Sequence, residues 1–108
     1  MSRKLRFLLV MIFIISRSSA PEKTILGKWK EIDKTEVIQF YKDGTVNVID
    51  KGISLGGSFK FIDHQHIKME LGSLGVLAGP MVYTVSVSKD ELTLTDSRGK
   101  VSRYRRLK

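Results

Sequence analysis

Asp63, His64 and His66 are the residues in this chain best equipped for chemistry, since two imidazoles and a carboxylate so close together are donors a transition metal accepts. Their spacing argues against a metal centre. His64 falls in a tight turn and His66 opens the next extended run, so at most two ligands converge, whereas zinc and copper sites ordinarily need three or four. The stretch reads as a solvated turn, and neither a metal nor any other cofactor is expected. Nucleophilic catalysis has no better support, because there is no cysteine and no motif that presents a serine to either histidine. Glu31, Asp33 and Glu36 form a further knot of carboxylates, but Lys30 and Lys34 interleave them. They read as a salt-bridged exposed face, and the chain is not expected to be an enzyme.

Charge is the next signal, with 19 Lys and Arg against 11 Asp and Glu. Residues 1–6 carry Arg3, Lys4 and Arg6 and no acid, residues 7–15 are all apolar, and Ser16, Ser18, Ser19 and Ala20 follow. That order is the n-, h- and c-region of an export signal. The apolar run is about half of the roughly 20 residues a bilayer-spanning helix needs. Residues 1–20 are therefore read as a signal peptide, and residues 21–108 as one exported domain, periplasmic or extracellular. Cleavage is expected after Ala20, or after Ser18 because Pro21 is a poor neighbour for a scissile bond. Without cysteine there is no lipid-modified N-terminus and no disulfide, so the core alone must hold the fold.

Arg3, Lys4, Arg6 and Arg17 leave with the signal, so the remaining domain holds 15 basic side chains against 11 acidic ones. The surplus sits in residues 98–108, where Arg98, Lys100, Arg103, Arg105, Arg106 and Lys108 meet no acid. Such a run attracts phosphate or an anionic surface. Only Tyr104 is at hand to stack on a base, so nucleic acid is not expected. Two readings remain: Arg103, Arg105 and Arg106 touch an anionic envelope surface, or they shield the edge of a sheet and keep the domain soluble.

Past residue 20 the side-chain period is two, with no amphipathic helix in view. Ile38 and Phe40, Val46 and Val48, Phe59 and Phe61, Ile67, Met69 and Leu71, Tyr83, Val85 and Val87, and Leu92 and Leu94 each alternate with polar or outward residues. Turn formers separate these runs, among them Asp43-Gly44, Lys51-Gly52, Lys89-Asp90 and Arg98-Gly99. Adding residues 28–32 and 101–106 predicts eight short strands joined by short loops. That makes an all-β antiparallel up-and-down meander, which loses its exposed edges by closing into a barrel. The inward side chains, Trp29 included, would fill most of so small a barrel; an open interior is permitted rather than implied. Residues 72–80 and 52–57 are Gly-rich and apolar and are read as two loops, which would form an apolar binding rim if both lie at one end.

Gly27-Lys28-Trp29, the hairpin from Ile38 to Thr45 with its Asp43-Gly44 turn, Leu92-Thr93-Leu94 and Tyr104-Arg105-Arg106 together resemble the small exported bacterial lipocalin-like domains. The match covers about residues 25–107. The resemblance implies that Trp29 plugs one end of the barrel, its indole N–H on an acceptor near the rim. It also implies a basic residue of the last strand stacked on that ring, drawn from Arg103, Arg105 and Arg106; Arg105 and the turn residue Gly44 are taken as structural. A small apolar ligand or lipid would then occupy an interior lined by Phe40, Phe59, Phe61, Met69 and Tyr83. Leu74 and Leu77 would fold over the mouth as a lid, or cap the open end and complete the core. The alternative is a filled barrel that serves as an envelope accessory or inhibitor-like module through its surface.

Overall fold

The computed structural model describes residues 20–72 and 80–108. The two-residue alternation produces eight strands: β1 Gly27–Glu31, β2 Val37–Phe40, β3 Thr45–Asp50, β4 Ile53–Asp63, β5 His66–Leu71, β6 Met81–Val87, β7 Glu91–Thr95 and β8 Val101–Arg106. Each pairs antiparallel with the next, and β8 returns to β1 through Trp29 opposite Arg106, Lys30 opposite Arg105 and Glu31 opposite Tyr104. The sheet is thus a closed eight-stranded up-and-down barrel. Closure corrects one expectation. With β7 on one side and β1 on the other, β8 has no free edge for its arginines to shield.

The inward stripe forms a continuous core of Ile25, Trp29, Ile38, Phe40, Val46, Ile67, Met69, Leu71, Val85, Leu92, Leu94 and Tyr104. The outer wall carries the charge, including Lys28, Lys30, Lys60, Lys68, Glu70, Arg103 and Arg105, all exposed. A barrel embedded in lipid shows an apolar band on that face instead.

Two local readings of the sequence are overturned. Residues 53–57 are not a loop: they are the first half of β4, an eleven-residue strand whose start pairs with β3 and whose end pairs with β5. Gly57 and Ser58 are where the two pairings overlap, and Gly57 makes the close approach. A Cβ there would run into the carbonyl oxygen of Glu70 and the backbone of Leu71. The glycines that suggested a loop mark instead the corner at which the strand turns from one neighbour to the next.

Second, a helix follows residue 20. Its single turn, α1 (Pro21–Thr24), starts on a proline, whose missing N–H is harmless in a first turn. The Ala20 carbonyl accepts from Lys23 N at 3.1 Å, Thr24 N at 3.0 Å and Thr24 Oγ1 at 3.0 Å. One turn is too short to leave a periodic signature. It delivers Ile25, which is fully buried, into a core position the alternation does not reveal.

Candidate functional site

A meander places alternate connections at opposite ends of the barrel. The β2–β3, β4–β5 and β6–β7 turns share one end with α1, and the β1–β2, β3–β4 and β7–β8 connections share the other with the end of β5 and the start of β6.

The α1 end is sealed. Trp29 is fully buried, and its indole Nε1 donates to the Ile25 carbonyl at 2.8 Å. The Arg106 guanidinium lies over the ring, 4.2 Å from its centroid. From there Nε donates to Lys89 O at 2.6 Å, Nη1 to Leu26 O at 2.8 Å and Nη2 to Thr24 O at 2.6 Å. One side chain therefore ties the β6–β7 turn, the end of α1 and the entry to β1 over the plugging ring. Gly27 makes room for it: a Cβ would stand 2.9 Å from Nη1, and its φ of 120° suits glycine. Phe40 and Phe59 meet edge to face, their centroids 5.0 Å apart. With Val46, Ile67 and Leu92 they pack in or against the part of the core that does not line the cavity at the opposite end.

The opposite end holds a cavity of about 480 Å³. Its apolar wall is Ile38, Val48, Leu55, Met69, Leu71 and Leu94, and its mouth carries Glu31, Glu36, Asp96, Ser102, Lys34, Lys100 and the phenols of Tyr83 and Tyr104. The polar residues follow from the pleat, since each is the next inward position after an apolar one. Glu31 succeeds Trp29, Glu36 precedes Ile38, Asp96 succeeds Leu94, and Ser102 precedes Tyr104. The mouth is therefore two-sided, polar on β7, β8, β1 and β2 and apolar on β4 and β5, with the Tyr83 phenol of β6 between them.

Several hydrogen bonds fix the polar side. Tyr104 donates to Glu36 Oε2 at 2.8 Å. Burial first, and then the charge on Glu36, raises the Tyr104 phenol far above its ordinary pKa. Burial likewise raises Tyr83, with Asp96 and then Glu36 adding to it. Asp96 accepts from the backbone N–H of Lys100 and of Arg98, both at 2.9 Å, and these bonds hold its carboxyl below the usual range, that from Lys100 most. Thr35 Oγ1 donates to Asp50 Oδ1 at 2.6 Å, pinning the β1–β2 loop to the end of β3.

Met69 and Tyr83 stand on the cavity wall as the sequence suggests. Phe40, Phe59 and Phe61 do not, and that expectation is corrected: they pack in or against the core away from the cavity. Leu74 and Leu77 lie outside the described residues. Gly44 holds its turn at φ 90°, while Asp43 Oδ1 accepts from the N–H and hydroxyl of Thr45. Arg105 is not the structural arginine; it lies on the outer wall, 3.9 Å from Glu91, and Arg106 does the stacking. Arg106 is accordingly withdrawn from the cationic surface. Glu31 and Glu36 also leave the exposed face on which the sequence put them, while Asp33 stays exposed. His66 Nδ1 faces Asp63 Oδ1 at 2.9 Å, a local pair closing the β4–β5 turn. Compared with known proteins, the chain matches no family model and no curated sequence.

Proposed function

We propose that this is an exported lipocalin-like barrel that holds a small, largely apolar ligand in the cavity at its open end. The cavity itself carries the reading. Its volume of about 480 Å³ lies in the range of roughly 300–1,000 Å³ typical of small-molecule sites, and it joins an apolar wall to a few convergent polar groups. Enclosure by strands on all sides preforms it, so little ordering opposes binding. A neutral, environment-sensitive apolar dye tests the idea through its own fluorescence, because Trp29 does not line the cavity and is a poor reporter. Saturable one-to-one binding is expected, weakened at least tenfold by Val48→Trp, with Leu71→Phe as a gentler second filling. Absence of saturable binding would leave the accessory or inhibitor-like module in its place.

Export belongs to the same reading, and α1 bears on where the signal is cut. Cleavage after Ala20 would discard the carbonyl that accepts three hydrogen bonds from the helix, whereas cleavage after Ser18 keeps it. The mass of the processed protein is expected to correspond to a chain starting at Ser19.

A second surface supports contact with anionic polymers or headgroups. Lys30 stands directly across from Arg105 on the outer wall, an arrangement unfavourable in isolation and relieved by an external anion. Arg103 lies on the same strand, two residues before Arg105, and is likewise exposed. Retention on an anionic matrix that falls steeply with salt, and that Arg103→Gln with Arg105→Gln lowers, is the expected result.

A further inference from the structure

We infer that the ligand of this cavity is an amphipathic cation, an apolar body bearing an amine or quaternary ammonium group, rather than a fatty acid. This rests on the cavity being a binding site, as proposed above, and adds the sign of the charge it accepts. The domain is basic as a whole, yet its mouth is not. Glu31, Glu36 and Asp96 line it against Lys34 and Lys100.

The placement of those charges matters more than their number. The Lys34 side chain is 62% exposed and its ammonium sits 3.7 Å from Glu31, whose own side chain is only 13% exposed. Lys100 is exposed as well. Both ammonium groups therefore stay largely in water, where their fields are screened. Glu36 is different. Among the described residues it has no ion-pair partner, and its side chain accepts a single hydrogen bond, from the buried Tyr104 hydroxyl. The phenol orients the carboxylate without neutralising it, leaving acceptor capacity on both oxygens. Burial does most to raise both cavity phenols above their ordinary pKa, and the carboxylates add to it in the same direction, Asp96 and Glu36 at Tyr83 and Glu36 and Glu31 at Tyr104, as a negative charge at the mouth would.

The two-sided mouth fits such a ligand. An alkyl or aromatic body lies against Leu55, Met69 and Leu71, while a cationic head meets Glu36 across the opening. A fatty acid in the same pose would bring its carboxylate against three others, a like-charge contact made worse by partial desolvation.

The test is displacement of the neutral dye by an alkylamine and by the fatty acid of equal chain length, both below their micellar concentrations. The amine is expected to compete at least tenfold better than the acid. Glu36→Gln is expected to cut that ratio at least fivefold, whereas Glu91→Gln, which removes the same charge from the outer wall, keeps it. Equal or stronger displacement by the acid, or an unchanged ratio in Glu36→Gln, overturns the inference while the dye still binds. Loss of dye binding itself would instead remove the site on which it depends.

Discussion

The two ends of this barrel are made from the same alternating strands, yet among the described residues a buried indole plugs the interior at one and a cavity reaches into it at the other. At the shut end the inward stripe runs out in large side chains, Trp29, Phe40 and Phe59, and a one-turn helix and an arginine lie across them. At the hollow end the stripe changes character one step further along four strands, to Glu31, Glu36, Asp96 and Ser102. Polar groups that keep their contact with water cannot close over one another as apolar ones do. Whether a small barrel is filled or open is thus decided by the last inward residue on each strand, not by the total bulk inside. The bulky inward residues are the same in either case.

The difference implies that damage at the two ends should be felt differently. Trp29→Ala removes a fully buried plug and is expected to cost about 3–5 kcal/mol of stability in denaturant melts. Gly57→Val, where β4 nearly touches the β5 backbone, should cost at least about 3 kcal/mol, or prevent closure altogether. Next comes Arg106→Met, which loses a cation–π contact and three charge-assisted hydrogen bonds; about 2–3 kcal/mol is expected. A loss below 1 kcal/mol would show that the stacked arginine decorates the plug and does not hold it.

Tyr104→Phe at the hollow end acts through pH. Its phenol is raised in the folded state, so the associated stability is fully present below the unfolded value, about 10. It is lost as pH climbs beyond that, where only the unfolded chain releases the proton. Burial does most to set this asymmetry, and Glu36, Glu31 and Tyr83, which face the group, add to it. The native protein should lose up to about 1.4 kcal/mol per pH unit on this account above pH 10, and the variant should lack that slope. The smallest effect is reserved for Arg105→Ala, within about 0.5 kcal/mol, because its partner Glu91 is 64% exposed and 3.9 Å away. A large loss there would return Arg105 to the structural role that Arg106 now holds.

The alternation was enough to read the barrel, its strand count and its antiparallel order, because a period of two admits no other regular structure. The Phe40 to Thr45 hairpin was legible for the same reason, whereas Trp29 as a plug came only from the resemblance to lipocalin-like domains. The site was less so. Carrying the alternation one step past Trp29, Ile38 and Leu94 would have turned Glu31, Glu36 and Asp96 inward, but charged residues beside lysines invite an outward assignment. Choosing Arg106 over Arg105 needed the register between β1 and β8, a contact that no local pattern encodes. The bend in β4 was missed because glycine marks a loop and a tight strand corner alike.

Pairing of β8 with β1 also governs when this chain can fold. The strand that shuts the ring is the last of the eight to leave the ribosome, and until it arrives both β1 and β7 lack a neighbour. Arg106 cannot reach Trp29 before then either. Until β8 is in place, the apolar stripe of the seven strands before it has no closed ring to bury it. Late closure of this kind is compatible with the export proposed above, which needs a polypeptide that has not yet folded.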